Sequence, residues 1–189
     1  MRNAARKHEV KFTYYDYSLL PEEPHYELID GDFLMTPSPT TLHQWISVKL
    51  EQTLLKYIQK KKLGILLHAP MDVVLSNDDV VQPDIIYISS ERKNIIKEEN
   101  IRGTPDLLVE ILSPSTAQRD LVIKRRLYEK HGVREYWIVD PQNKTVEVIA
   151  WTPKGFKTLQ VYPEGRRLKS KILSSFSLPL KNIFNTSLK

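Results

Sequence analysis

The stretch GTPDLLVEILSPSTAQRDLVIKRRLYEKHGVREYWIVDP, residues 103–141, decides the fold of this chain. It reads as strand, helix, strand. Residues 107–112 (LLVEIL) are apolar at every position except Glu110, the pattern of a strand buried on both faces. Residues 117–131 predict a helix that Gly132 stops. Residues 136–139 are a second strand, ended by Asp140-Pro141.

Working outward, residues 84–89 (DIIYIS) are strand-like, and residues 65–69 and 71–75 are extended segments broken at Pro70. Before them, His43, Ile46, Leu50, Leu54 and Tyr57 recur at three- and four-residue spacing, which predicts a helix over residues 40–62 ended by Gly64. Residues 26–35 (YELIDGDFLM) predict a hairpin around Asp30-Gly31. On the other side, residues 146–151 and 156–162 predict a closing hairpin. The tail around Leu178-Pro179-Leu180 carries no assignable element. The order implies an α+β fold with one central mixed sheet.

The totals set bounds. A chain of 189 residues, 41% hydrophobic and 27% charged, suits one globular domain over residues 1–189. It has no cysteine, which excludes disulfides, zinc–thiolate sites and thiol catalysis and is compatible with a reducing cytosol. The N-terminal MRNAARKHEVKF is basic without an apolar run behind it, so no secretory signal is expected. No run approaches the ~20 apolar residues that span a bilayer. A soluble cytoplasmic protein is expected. The net charge of +5 favours polyanionic partners through a sequence-independent field. Part of it lies in Lys60-Lys61-Lys62, Lys124-Arg125-Arg126 and Arg166-Arg167, of which the first and third suit solvated faces.

Three charged residues stand where packing disfavours charge. Glu110 interrupts an apolar strand, and a buried unpaired carboxylate costs several kcal/mol. A metal ion or a cationic partner removes that cost; so does an edge position facing water. Asp84 opens its strand after Pro83 and shares a face with Ile86 and Ile88. Asp106 is its rival, but it lies four residues from Glu110 on one strand, roughly 13 Å at ~3.3 Å per residue. Ligands of one Mg²⁺ each sit about 2.1 Å from it. Lys124 falls inside the arc that Ala117, Leu121, Leu127 and Tyr128 define at ~100° per residue. It either snorkels or pairs with Asp120 at i, i+4, or it points at the sheet carrying Glu110. Together, two carboxylates for a divalent cation and a lysine for the attacking water are the parts that phosphodiester hydrolysis needs.

The segments YELIDGDFLMTPSPTTLH, QPDIIYIS, the 103–141 stretch and VEVIAW, spanning about residues 26–151, resemble the Uma-type (Uma-two) restriction endonuclease family of the PD-(D/E)XK superfamily. The resemblance implies a restriction-endonuclease-like core (αβββαβ) with a central mixed β-sheet flanked by helices, plus an N-terminal hairpin and a C-terminal β extension. It also implies that Asp84 and Glu110 bind Mg²⁺ or Mn²⁺ and that Glu27 completes the metal shell. The superfamily's lysine position is Leu112 here, and Lys124 matches a variant in which that lysine has moved to the following helix. The expected function is a divalent-metal-dependent endonuclease, with the Ile111 carbonyl as a further ligand and Lys124 orienting water. DNA is the expected partner and a homodimer the expected assembly. Rival readings are a catalytically silent nucleic-acid-binding module, and a metal-dependent hydrolase of RNA or nucleotides. His43, on the apolar stripe of the first long helix, belongs to the family pattern and is a second-tier candidate for a phosphate or ligand contact. So are Ser113, Asp120 and Tyr128, whereas Trp45, Trp137 and Trp151 read as packing.

Overall fold

The structure is a computed structural model describing residues 10–21 and 23–185; most of the basic N-terminal segment, residues 1–9, lies outside the described residues. A short helix α1 (Tyr14–Ser18) precedes a hairpin of β1 (Tyr26–Ile29) and β2 (Asp32–Met35), and α2 (Thr41–Lys61) follows. Then come β3 (Gly64–His68), β4 (Val73–Val74), β5 (Val80–Val81), β6 (Ile85–Ser89), β7 (Ile101–Arg102) and β8 (Leu107–Ile111). A π-helical turn (Arg119–Lys124) runs into α3 (Arg125–Lys130), and β9 (Glu135–Asp140), β10 (Thr145–Thr152) and β11 (Gly155–Pro163) follow. The tail forms β12 (Arg167–Lys169), β13 (Ser177–Pro179) and α4 (Lys181–Phe184).

The central sheet has the order β11-β10-β9-β8-β6-β3, and only the β8–β9 pair is parallel, so the sheet is mixed. Every residue of β8 is buried, as its composition requires. Alternation sends Leu107, Val109 and Ile111 toward Ile46, Leu50, Leu54 and Ile58 of α2. Leu108 and Glu110 face the other way, where Leu108 packs with Leu127 and Tyr128 of α3. The tail, unassigned from sequence, closes the α2 side with Leu178, Leu180, Ile183 and Phe184. The second half of the predicted C-terminal extension, β11, is the exposed edge of the sheet. Trp137 is core, but Trp151 is 42% exposed and so is not a core packing residue. Among the described residues no helix is long and apolar enough to cross a membrane.

The hairpin forms as read: Asp30 and Gly31 take φ of 49° and 77°, which a tight primed turn demands. Its place in a second sheet, ordered β2-β1-β5-β4-β7, was not anticipated. Asp79 ties that sheet to α3. Its carboxylate accepts from the Asp30 backbone N–H at 2.9 Å, Lys130 at 3.0 Å and His131 at 2.8 Å. Burial pushes its pKa up, but His131, the Asp30 amide, Lys130 and Ser76 outweigh this and hold it well below the usual carboxylate range. A depressed folded pKa means stability that is present above the ordinary value of 3.8 and lost as pH falls below it. Asp79→Asn is therefore expected to cost about 2–3 kcal/mol near pH 7. The deficit against wild type, read by urea unfolding, should shrink from pH 6 toward pH 2. A deficit independent of pH would assign Asp79 to shape, not charge.

Candidate active site

The site lies at one end of the central sheet, where β6 begins, β8 ends and β1 approaches from the second sheet. Glu27, Asp84, Glu110, Asp120 and Lys124 line one cleft of about 500 Å³, together with His43, Ile111 and Ser113. Thus every residue singled out from sequence except Tyr128 borders the cleft, and Tyr128 touches Glu110 from behind. Asp106 does not reach it. That carboxylate is buried at the opposite end, where β6 ends and β8 begins, taking the Ser89 N–H at 2.8 Å, Arg134 at 2.9 Å and Arg92 at 3.2 Å.

Glu110 is buried, and its Oε1 accepts from Lys124 Nζ at 3.0 Å and from the Tyr128 hydroxyl at 2.5 Å. Asp84 Oδ2 accepts the Ile111 N–H at 2.7 Å and lies 3.1 Å from His43 Nε2. Among the described residues neither Glu110 Oε2 nor Asp84 Oδ1 has a polar partner, and neither is sealed from the cleft. Each carboxylate therefore has one oxygen tied down and one free. Glu27 is fully engaged: Oε1 takes the Gln82 N–H at 2.9 Å and Lys124 at 2.8 Å, and Oε2 takes Arg119 at 3.3 Å. In a strand the N–H and C=O of one residue point to the same side, so the Ile111 carbonyl leaves β8 toward Asp84 and His43.

Lys124 reaches this place by a route the helical periodicity did not describe. Residues 119–124 form a π turn, whose i→i+5 bonding adds a residue to the turn and shifts every later side chain. As a result Leu121, Val122 and Ile123 face outward at 40%, 43% and 41% exposure, so Leu121 is not part of the buried arc. Asp120 and Lys124 turn inward instead, 3.6 Å apart. The inward lysine thus has both expected partners, Asp120 and Glu110, and a third in Glu27.

The charges do not cancel. Glu27, Asp84, Glu110 and Asp120, with the exposed Glu23 at the rim, outnumber the two permanent cations of the cleft, Lys124 and Arg119. Burial pushes the Glu110 pKa well above the ordinary value; Lys124 opposes this, and Asp120, Asp84 and Glu27 add to it. Asp120 is raised as well, by burial against the pull of Lys124 and Thr116. For Lys124 burial disfavours the charge, but Glu110, Glu27 and Asp120 together hold its pKa well above that of a free lysine. The His43 pKa is raised: burial disfavours the charge, and Asp84 outweighs it. Oxygen donors of this kind, with carboxylates in excess over cationic side chains, fit a hard divalent cation such as Mg²⁺ or Mn²⁺. Among the described residues no three His, Asp or Glu side chains converge as a ligand set; the Lys124 ammonium bonds both Glu27 and Glu110. A cation that keeps several waters, as Mg²⁺ does, needs only one or two carboxylates.

Sequence reasoning missed Arg119 and Gln82. Arg119 spans from Glu27 to the Met35 carbonyl (3.0 Å) and pins the hairpin to the π turn. Gln82 acts through its backbone N–H. Gln82 leaves no signal in one sequence, whereas Arg119 stands beside the buried Asp120 in the same unusual turn.

The fold, with carboxylates gathered at one end of a mixed sheet and a lysine arriving from the covering helix, falls in the class of restriction-endonuclease-like nucleases. The chain belongs to the Uma2 family, described as "Putative restriction endonuclease", whose match spans residues 13–181. The fold is also similar to the crystal structure of a protein from Anabaena variabilis described as a putative nuclease belonging to DUF820. The two share a TM-score of 0.77 and 23% identity over 92% of this chain and 97% of the other. A comparison with curated protein sequences gives no significant match.

Proposed function

We propose that this chain is a divalent-metal-dependent endonuclease that hydrolyses phosphodiester bonds, with DNA as its substrate. The observation that carries the reading is the pair of free oxygens, Asp84 Oδ1 and Glu110 Oε2, on residues lining one cleft in which carboxylates outnumber cationic side chains. Asp84, Glu110 and the Ile111 carbonyl would hold the cation, and Glu27 would stand behind it. When bound, the metal supplies charge neutralisation at the phosphoryl group and an acidified water.

The chain's own residues do the rest. The Ile111 N–H and His43 fix one oxygen of Asp84, so the other is held toward the cleft. Tyr128 and Lys124 do the same for Glu110. Because three carboxylates hold Lys124 in its charged form, it suits a cation that orients water and steadies charge developing on the phosphate, and it does not suit a neutral base. The +5 net charge supports a polyanionic substrate, and cutting both strands of a duplex favours two copies acting together. The absence of cysteine suits a reducing cytoplasm.

The test is cleavage of supercoiled plasmid, single-stranded DNA and RNA in Mg²⁺, Mn²⁺ or EDTA, with Asp84→Asn beside the wild type. Nicking of DNA that EDTA abolishes, and that falls by at least about 10²-fold in the variant, is the expected result. Cleavage that survives the substitution would sink the site. Binding without cleavage in any metal would favour the silent nucleic-acid-binding module, and cleavage of RNA alone would favour the other rival.

A further inference from the structure

A second cavity, of about 370 Å³, opens beside the carboxylate cleft, and His25, Pro70 and Gln82 line both. Its size falls in the range of small-ligand sites. Its lining mixes apolar residues, Tyr26 and Met71 among them, with the polar Tyr17, Asp72 and Gln82. There Asp72 Oδ1 accepts from the Tyr17 hydroxyl and from Gln82 Nε2, both at 2.8 Å. The same hydroxyl lies 3.2 Å from the Tyr26 carbonyl and 3.4 Å from Gln82 Nε2. The Tyr17 and Gln82 donors are therefore spent within this group. What Asp72 itself offers the cavity is an acceptor, because its Oδ2 has no partner among the described residues and is not sealed from solvent; His25 and Glu99 also line the cavity. Gln82 also links the two cavities mechanically, since its backbone N–H holds Glu27 while its side chain holds Asp72.

We propose that this cavity binds the nucleobase next to the scissile phosphate, unpaired and turned out of its strand, and prefers one with an exocyclic amino group, cytosine over thymine. The proposal rests on the nuclease reading for the word scissile, but the recognition chemistry is its own. A carboxylate oxygen accepts from the cytosine N4 amino group, whereas thymine offers an acceptor and a methyl group there. Tyr26, an aromatic residue of the lining, would be the one on which a base stacks, which every base tolerates. A base drawn from its stack implies a single-stranded or locally opened substrate.

Binding of fluorescently labelled dC10 and dT10 is measured by anisotropy in EDTA at pH 8, so that cleavage plays no part. Wild type is expected to bind dC10 about fivefold more tightly, the lower end for one good base contact. In Asp72→Asn the oxygen accepting from Tyr17 and Gln82 stays in place, which puts the amide NH₂ where Oδ2 stood. The preference should then pass to dT10. Equal affinities of the wild type for the two strands, binding to neither, or an unchanged dC10 preference in a folded Asp72→Asn overturns the proposal. The wild-type ratio decides alone if the variant does not fold. Cleavage without a cytosine preference removes the base site and leaves the nuclease; a cytosine preference without cleavage does the reverse.

Discussion

Lys124→Met is expected to lower both stability and activity. The side chain is buried and its ammonium lies 2.8 Å from Glu27, 3.0 Å from Glu110 and 3.6 Å from Asp120. Methionine keeps most of the volume, so the loss is one of charge. Removing one partner of a buried ion pair typically costs about 3–5 kcal/mol. For a chain of this size that is a fall in melting temperature of roughly 6–20 °C, read by calorimetry in EDTA. Metal-dependent cleavage should fall by about 10²–10⁴-fold, the scale of losing a positioned proton-handling or charge-steadying group. Added Mg²⁺ should recover part of the lost stability in the variant, since a cation again balances the carboxylates. An unchanged melt would mean that Lys124 is not paired in the folded protein. An unchanged rate in a folded variant would remove it from the reaction.

The route to Lys124 shows what one sequence can carry. Its inward direction was legible because a lysine stood among residues that pack, yet the arc used to place it was partly wrong. Leu121 faces solvent, since a π turn replaces the regular spacing at residues 119–124. The conclusion survived because Leu127 and Tyr128, beyond the turn, are buried. Glu110 was legible for a firmer reason: a charge in an otherwise apolar strand has to meet something, and here it meets Lys124 and Tyr128. The hairpin was legible from Asp-Gly, but its sheet was not. β4, β5 and β7 are two residues long, too short for any periodicity to show. Glu27 therefore entered by resemblance alone, and the Gln82 amide and Arg119 that hold it arise from tertiary contact across 55 and 92 residues.

Glu110→Gln should separate function from stability in the opposite sense. The amide keeps an oxygen for the Tyr128 hydroxyl and for Lys124, and Lys124 retains Glu27 and Asp120 as ionic partners. What disappears is a negative charge that burial and three neighbouring carboxylates disfavour, as the raised pKa of Glu110 records. Metal-free Glu110→Gln is accordingly expected to be as stable as the wild type within about 1 kcal/mol, or more stable. Cleavage in Mg²⁺ should fall by about 10³-fold, because a neutral amide is a poor ligand for a hard cation and leaves developing charge on the phosphate unbalanced. The two proteins should also part in their response to metal. A cation held at 100 times its dissociation constant stabilises the wild type by about 2.7 kcal/mol. Glu110→Gln should show little of that shift at the same Mg²⁺ concentration. Opposite signs for activity and metal-free stability would mark Glu110 as a residue kept at the expense of the fold. A large loss of stability with cleavage preserved would make it a structural ion-pair partner of Lys124, and the catalytic assignment would have to move elsewhere in the cleft.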